Sequence, residues 1–140
     1  MYEQGYTSAA HGWSTGVLPA LTNDLLGATP TGVGFSSWTV EPHPGTVTWA
    51  KGTLPTPQGS LTVSWKKSGA KGNGFSLDMT APKGTSGTVS VPATGAHPVV
   101  RLDGAVVYGL GHPAHGATAA GGYVSIPRVS GTHTITVAAR

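Results

Sequence analysis

No cysteine occurs among the 140 residues, which excludes a disulfide framework and thiol chemistry and leaves the redox compartment undecided. Charge is scarce as well: 9% of residues are Asp, Glu, Lys or Arg, against roughly a quarter in an average globular chain. The net charge of +3 rests on few groups. Lys66, Lys67 and Lys71 cluster in one expected hairpin loop, whereas Arg101, Arg128 and Arg140 are scattered. A nucleic-acid surface needs Lys and Arg along one face with aromatics between them, and that pattern is missing, so no nucleic-acid partner is expected. Long apolar runs are missing too. None approaches the roughly 20 residues that cross a bilayer as a helix, so no membrane partner is expected. Met1-Tyr2-Glu3-Gln4 has neither a basic start nor an apolar stretch, which is unlike a signal peptide, and Met1 reads as an engineered start or a fragment boundary.

What fills the chain instead is Gly (22), Pro (11), Ser and Thr. The apolar residues fall in short alternating runs, which disorder does not require. The length suits one domain that buries roughly two-thirds of its unfolded surface. One helix is expected over residues 18–26, with Pro19 in its first turn, Leu18, Leu21, Leu25 and Leu26 as an apolar stripe, and Gly27 as its stop. Residues 27–34 read as a linker, which places a boundary between segments 1–31 and 32–140. Strands are expected at 38–40, 46–50, 60–66, 75–79, 87–91, 99–102, 105–108, 123–127 and 132–137. Asp103-Gly104 is a favoured two-residue hairpin turn, and residues 109–122 read as a loop. The expected fold class is therefore all-β, an antiparallel β-sandwich of about eight or nine short strands with one short N-terminal helix.

Several segments carry a family likeness. They are Ala10 to Gly16 (AHGWSTG), Leu25 to Pro30 (LLGATP), Trp49 to Gly52 (WAKG), and Leu54 to Trp65 with its Pro55-Thr56-Pro57-Gln58-Gly59 core. Together they resemble the C-terminal end of α-L-rhamnosidases of glycoside hydrolase family 78, strongly from Ala10 to about Trp65 and only in pattern beyond. The resemblance implies that the first segment opens the last helix of an (α/α)6 catalytic barrel. It also implies that the remainder closes into a C-terminal β-sandwich. The parent would be an inverting α-L-rhamnosidase, whose general acid lies far upstream and whose base lies some way before the AHGWSTG-like segment.

Inverting hydrolysis needs two carboxyl groups astride the scissile bond. This chain holds five, Glu3, Asp24, Glu41, Asp78 and Asp103, none near another in sequence. Asp24 is helical, Asp78 sits on a polar strand face, Asp103 is a turn residue, and Glu41 lies in a connector. Glu3 lacks the neighbouring Trp that precedes the base in the family pattern. No catalytic residue is assigned, and the chain alone is expected to be no enzyme. The resemblance gives His11 a role in the intact parent, where it would hydrogen-bond rhamnose, with Trp13 beside it. In this chain alone the other walls of that pocket are absent, and His11 reads as an exposed residue near a helix start.

His112 and His115 form an i, i+3 pair, but without Cys or a nearby carboxylate they do not make up the three or four ligands zinc requires, so neither a metal nor another cofactor is expected. Of the four tryptophans, Trp65 shares the face of Leu61 and Val63 and reads as core. Trp49 follows Val47 at period two and reads as half-buried. Trp13 and Trp38 would pack at a barrel–sandwich junction and be exposed without it. Three readings follow. The first is a non-catalytic C-terminal domain whose partner is the (α/α)6 barrel of the parent. The second is a carbohydrate-binding module, recognisable by an exposed aromatic platform. The third is a β protein that self-assembles into homo-oligomers through strand edges. The compartment stays open, and the resemblance is compatible with a secreted parent.

Overall fold

The computed structural model describes residues 15–69, 73–109 and 113–139. Eleven strands among them form two sheets: β1 (Ala28–Pro30), β2 (Ser37–Val40), β3 (Trp49–Thr56), β4 (Gly59–Ser68), β5 (Gly74–Thr80), β6 (Ser86–Pro92), β7 (Pro98–Leu102), β8 (Ala105–Tyr108), β9 (Thr118–Ala120), β10 (Tyr123–Val129) and β11 (Thr132–Ala139). The larger sheet runs β3-β4-β5-β11-β7-β8 and the smaller β1-β2-β6-β10-β9. Alternation in the sequence sets which face each strand buries. Leu61, Val63 and Trp65 of β4, Phe75, Leu77 and Met79 of β5, and Ile135 and Val137 of β11 are buried. They share one core with Trp38 and Val40 of β2, Val89 and Val91 of β6, and Val124 and Ile126 of β10. The expected all-β sandwich is what forms.

The strand count rises to eleven because two three-residue strands escape a periodicity reading. Ala28–Pro30 lies in the expected linker and pairs with β2, and Thr118–Ala120 lies in the expected loop and folds back on β10 across Gly121-Gly122. One pairing also departs from an antiparallel plan: β2 runs parallel to β6, with Trp38 opposite Gly87. A parallel pair cannot be joined by a tight hairpin, and 45 residues (41–85) separate these two strands in the chain, so nothing local announces it. The strand expected at 46–50 starts later and runs longer, at Trp49–Thr56, because a turn closed by Val47 N–H on Pro44 O (2.8 Å) occupies residues 44–47. Asp103, at φ 50, leads the β7–β8 turn as expected, an αL position that Asp tolerates better than most residues.

The helical segment is short. An α-helical turn, α1 (Val17–Ala20), widens into a π-type turn over Leu21–Leu25, closed by Leu26 N–H on Leu21 O at 3.0 Å. Gly27 ends it at φ 75, a left-handed conformation with no room for a side chain, since a Cβ there would overlap the Glu41 carbonyl. Gly52 on β3 is needed for a different reason. It leaves the space that the Leu26 side chain enters, and a Cβ would overlap Leu26 Cδ1.

Candidate functional site

Two surfaces and one polar cluster stand out. The first surface is the helical segment. Its C-terminal end is stitched to the sandwich by three bonds: Trp65 Nε1–H to Leu25 O (2.9 Å), His43 N–H to Asp24 O (2.9 Å) and Glu41 N–H to Gly27 O (2.9 Å). Leu26 is buried and Leu25 packs partly on the core. Val17, Leu18 and Leu21 are exposed, Leu18 at 61% and Leu21 at 45%. The expected apolar stripe is thus split, one half docked on the sandwich and the other bare.

The second surface is the outer face of the larger sheet. The β3–β4 hairpin turns at Pro57-Gln58, pairs Thr56 with Gly59, and by that register sets Trp49 opposite Lys66 and Lys51 opposite Ser64. Lys66 points away from the core that Trp65 enters, so Trp49 does too, and it is 67% exposed. This corrects the half-buried reading, which extended the phase of Val47 into a strand that Val47 does not join. Counting back from the Pro-Thr-Pro-Gln-Gly turn would have found it. On the next strand Ser76 lies opposite Lys66 and Asp78 opposite Ser64. Trp49, Ser64, Lys66, Ser76 and Asp78 together line a shallow groove of about 290 Å³.

Trp38 also departs from its expected place. It is 1% exposed, with its indole N–H donating to Thr85 Oγ1 at 3.0 Å while that hydroxyl donates to Pro82 O. A buried indole needs such an acceptor, and Thr85 supplies it from 47 residues away.

The polar cluster joins Asp103 and His133. Asp103 Oδ1 accepts the Thr134 amide (2.8 Å) and Oδ2 meets His133 Nδ1 (2.7 Å), while His133 Nε2 faces Ser130 O (2.8 Å). The Thr134 amide first, and then His133, hold the Asp103 carboxyl below its usual value. The Asp103 bond is the main reason His133 is held above its usual value. A general acid needs a carboxyl shifted upward, so this arrangement suits a structural latch rather than glycoside protonation. The other described carboxylates have separate surroundings. Asp78 Oδ1 accepts from Thr134 Oγ1 (2.7 Å), Glu41 lies 3.6 Å from His43 Nε2, and Asp24 is exposed on the helical segment.

His11, Trp13, Glu3 and His112 lie outside the described residues, as does the AHGWSTG-like segment up to Ser14. His115 sits on an exposed turn at φ 56. Among the described residues, no three His, Cys, Asp or Glu side chains gather as a metal site, and no helix is long and apolar enough to cross a membrane.

Comparison with known proteins gives a consistent set of likenesses. The family model described as the bacterial alpha-L-rhamnosidase C-terminal domain matches residues 27–103, more than half of the chain. The structure of an alpha-L-rhamnosidase from Dictyoglumus thermophilum superposes with a TM-score of 0.74 at 25% identity, covering 86% of this chain and 13% of that one. The Streptomyces avermitilis alpha-L-rhamnosidase, solved with L-rhamnose, gives 0.67 at 25% identity, covering 84% of this chain and 10% of that one. The chain therefore spans about a tenth of the length of the enzymes it resembles. No curated protein sequence matches it.

Proposed function

This chain belongs to the family of bacterial alpha-L-rhamnosidase C-terminal domains, and on that footing we propose that it is a non-catalytic β-sandwich packed against the catalytic domain of a rhamnosidase-like glycoside hydrolase. The observation that carries the proposal is the split helical stripe. Leu25 and Leu26 anchor the C-terminal end of the segment to the sandwich, and Val17, Leu18 and Leu21 toward its N-terminal end present an apolar ridge that the described residues leave exposed. Clustered apolar surface of this kind is the ordinary mark of a covered interface. A helical barrel is a fitting partner, since a short helical segment packs readily between the ridges of neighbouring helices. The role is to steady the barrel. The inverting rhamnosidase chemistry, with His11 and Trp13 near the sugar, belongs to the intact parent.

The scattered carboxylates support the absence of catalysis in the chain alone. The purified chain should give no turnover of an aryl α-L-rhamnoside above the uncatalysed rate. In the full-length enzyme, amide hydrogen exchange over residues 17–21 should be slower than in the isolated chain. Equal exchange rates in the two would overturn the packing role, and turnover by the isolated chain would overturn the non-catalytic one.

A further inference from the structure

We propose that the outer face of the larger sheet is a saccharide-binding surface, with Trp49 as the platform for a pyranose ring and Asp78, Ser64, Ser76 and Lys66 as its hydrogen-bonding groups. Four observations carry this. Among the described Phe, Trp and Tyr residues Trp49 alone is exposed, at 67%, and its pairing with Lys66 at the start of β3 fixes the face of the sheet on which its ring lies. Its cross-strand neighbour is Lys66, and beyond that lies Ser76, so a large apolar ring is set in polar surroundings. Among the described residues, the other exposed large apolar side chains are Val17, Leu18, Leu21 and Val33 in the N-terminal part and Val47 in the loop before β3. Finally, the groove beside Trp49 is lined by groups with bonding capacity to spare. Asp78 spends Oδ1 on Thr134, and no described residue bonds its second oxygen or the side chains of Ser64, Ser76 and Lys66.

That mixture fits a sugar better than a protein partner. A pyranose has a face of C–H bonds that packs on the electron-rich face of an indole, and a rim of hydroxyls that each donate and accept. The groove offers one apolar platform, a carboxylate to accept, an ammonium to donate, and two hydroxyls that do either. A protein interface instead draws its affinity from a contiguous apolar centre, and here the residues paired with Trp49 are charged or hydroxylated. The face is also separate from the docking segment. Leu26 reaches β3 on the side of Gly52, which alternates with Trp49 toward the core. A saccharide held here would keep a tethered catalytic domain at high effective concentration on the same polymer.

The proposal stands independently of the packing role. Only the choice of a rhamnose-bearing probe rests on that reading. The purified chain is run in native gels containing a rhamnose-bearing pectic polysaccharide, or a β-glucan, with plain gels as reference. Retardation is expected, and Trp49→Ala should weaken it about tenfold with an unchanged Tm, as one stacked ring is lost. Trp49→Phe should keep most of it and Asp78→Asn should lose part. Leu18→Ser with Leu21→Ser should leave it untouched. Retardation by β-glucan alone supports the surface while separating it from the rhamnosidase reading. No retardation by either polymer overturns the proposal and leaves a protein contact as the use of Trp49. Retardation that survives Trp49→Ala also overturns it.

Discussion

Trp65 holds together two parts of the molecule with one ring. Its indole stacks on Phe75 with centroids 5.6 Å apart, and its N–H reaches the Leu25 carbonyl. Trp65→Ala should therefore lower stability by about 3–5 kcal/mol in urea unfolding. Trp65→Phe should cost about 1–3 kcal/mol, because it keeps much of the packing and strands the Leu25 carbonyl. This residue was legible in the sequence, since it shares its phase with Leu61 and Val63 over an unbroken strand. Trp38 was not, because its acceptor Thr85 lies on a remote segment and no local pattern pairs them. A second residue-scale expectation concerns His133. Its folded pKa lies above the ordinary 6.5 and that of Asp103 below the ordinary 3.8. The His133 contribution is thus complete below about pH 6.5 and lost as pH rises through the raised value. The Asp103 contribution is present above its unfolded value and lost as pH falls through the lowered one. Partial exposure keeps the pair modest, at about 1 kcal/mol or less. An NMR titration of His133 should show a midpoint above the usual imidazole value that falls in Asp103→Asn. An unchanged midpoint would mean that the bond is not formed in solution.

At the scale of elements, strands with a clean period were readable and those without one were not. β4 and β5 alternate over ten and seven residues on either side of one glycine-rich connection, so their faces followed directly. β1 and β9 have three residues each, fewer than two full alternations, and gain their place only by pairing. The candidate surface around Trp49 was half legible: the alternation of β4 and β5 gave Ser64, Lys66, Ser76 and Asp78 as one polar face. Trp49 joined that face only once the hairpin register was known. The helical segment offers a test of how its stripe divides. Leu26→Ala should destabilise the chain by about 2–5 kcal/mol, since the side chain is buried over Gly52. The double change Leu18→Ser, Leu21→Ser should stay within about 0.5 kcal/mol, as expected of surface positions. Equal costs for the two variants would mean that the segment docks on the sandwich along its whole length.

For the whole molecule, the question is which surface would bring copies together. Strand edges are poor candidates. β1, β8 and β9 are three or four residues long, and the longer edge strand β3 carries Lys51 and Pro55. Short edges, lysine and proline are all features that discourage edge pairing. The exposed ridge of Val17, Leu18 and Leu21 is the better candidate, and a two-fold pairing of one patch with itself closes most simply. Sedimentation should show a concentration-dependent dimer for the chain and a monomer for Leu18→Ser, Leu21→Ser. Dimers of equal strength in both would direct attention back to the sheet edges.

The position of β11 has a consequence for the order in which the protein can be made. The last strand in sequence is not at an edge. It lies between β5 and β7, and without it the larger sheet falls into two unconnected pieces, β3-β4-β5 and β7-β8. A ribosome delivers the chain from its N-terminus, and domains generally fold as units once all their parts have emerged. The hairpins of β3, β4 and β5 can form early, but they are joined to β7 and β8 only when β11 pairs between them and adds Ile135 and Val137 to the core face. The sandwich therefore closes only after synthesis has passed residue 139. During that interval the β5 and β7 edges that β11 will pair are open to neighbouring nascent chains. Any catalytic domain that leans on this sandwich is left waiting for it until translation of the segment is complete.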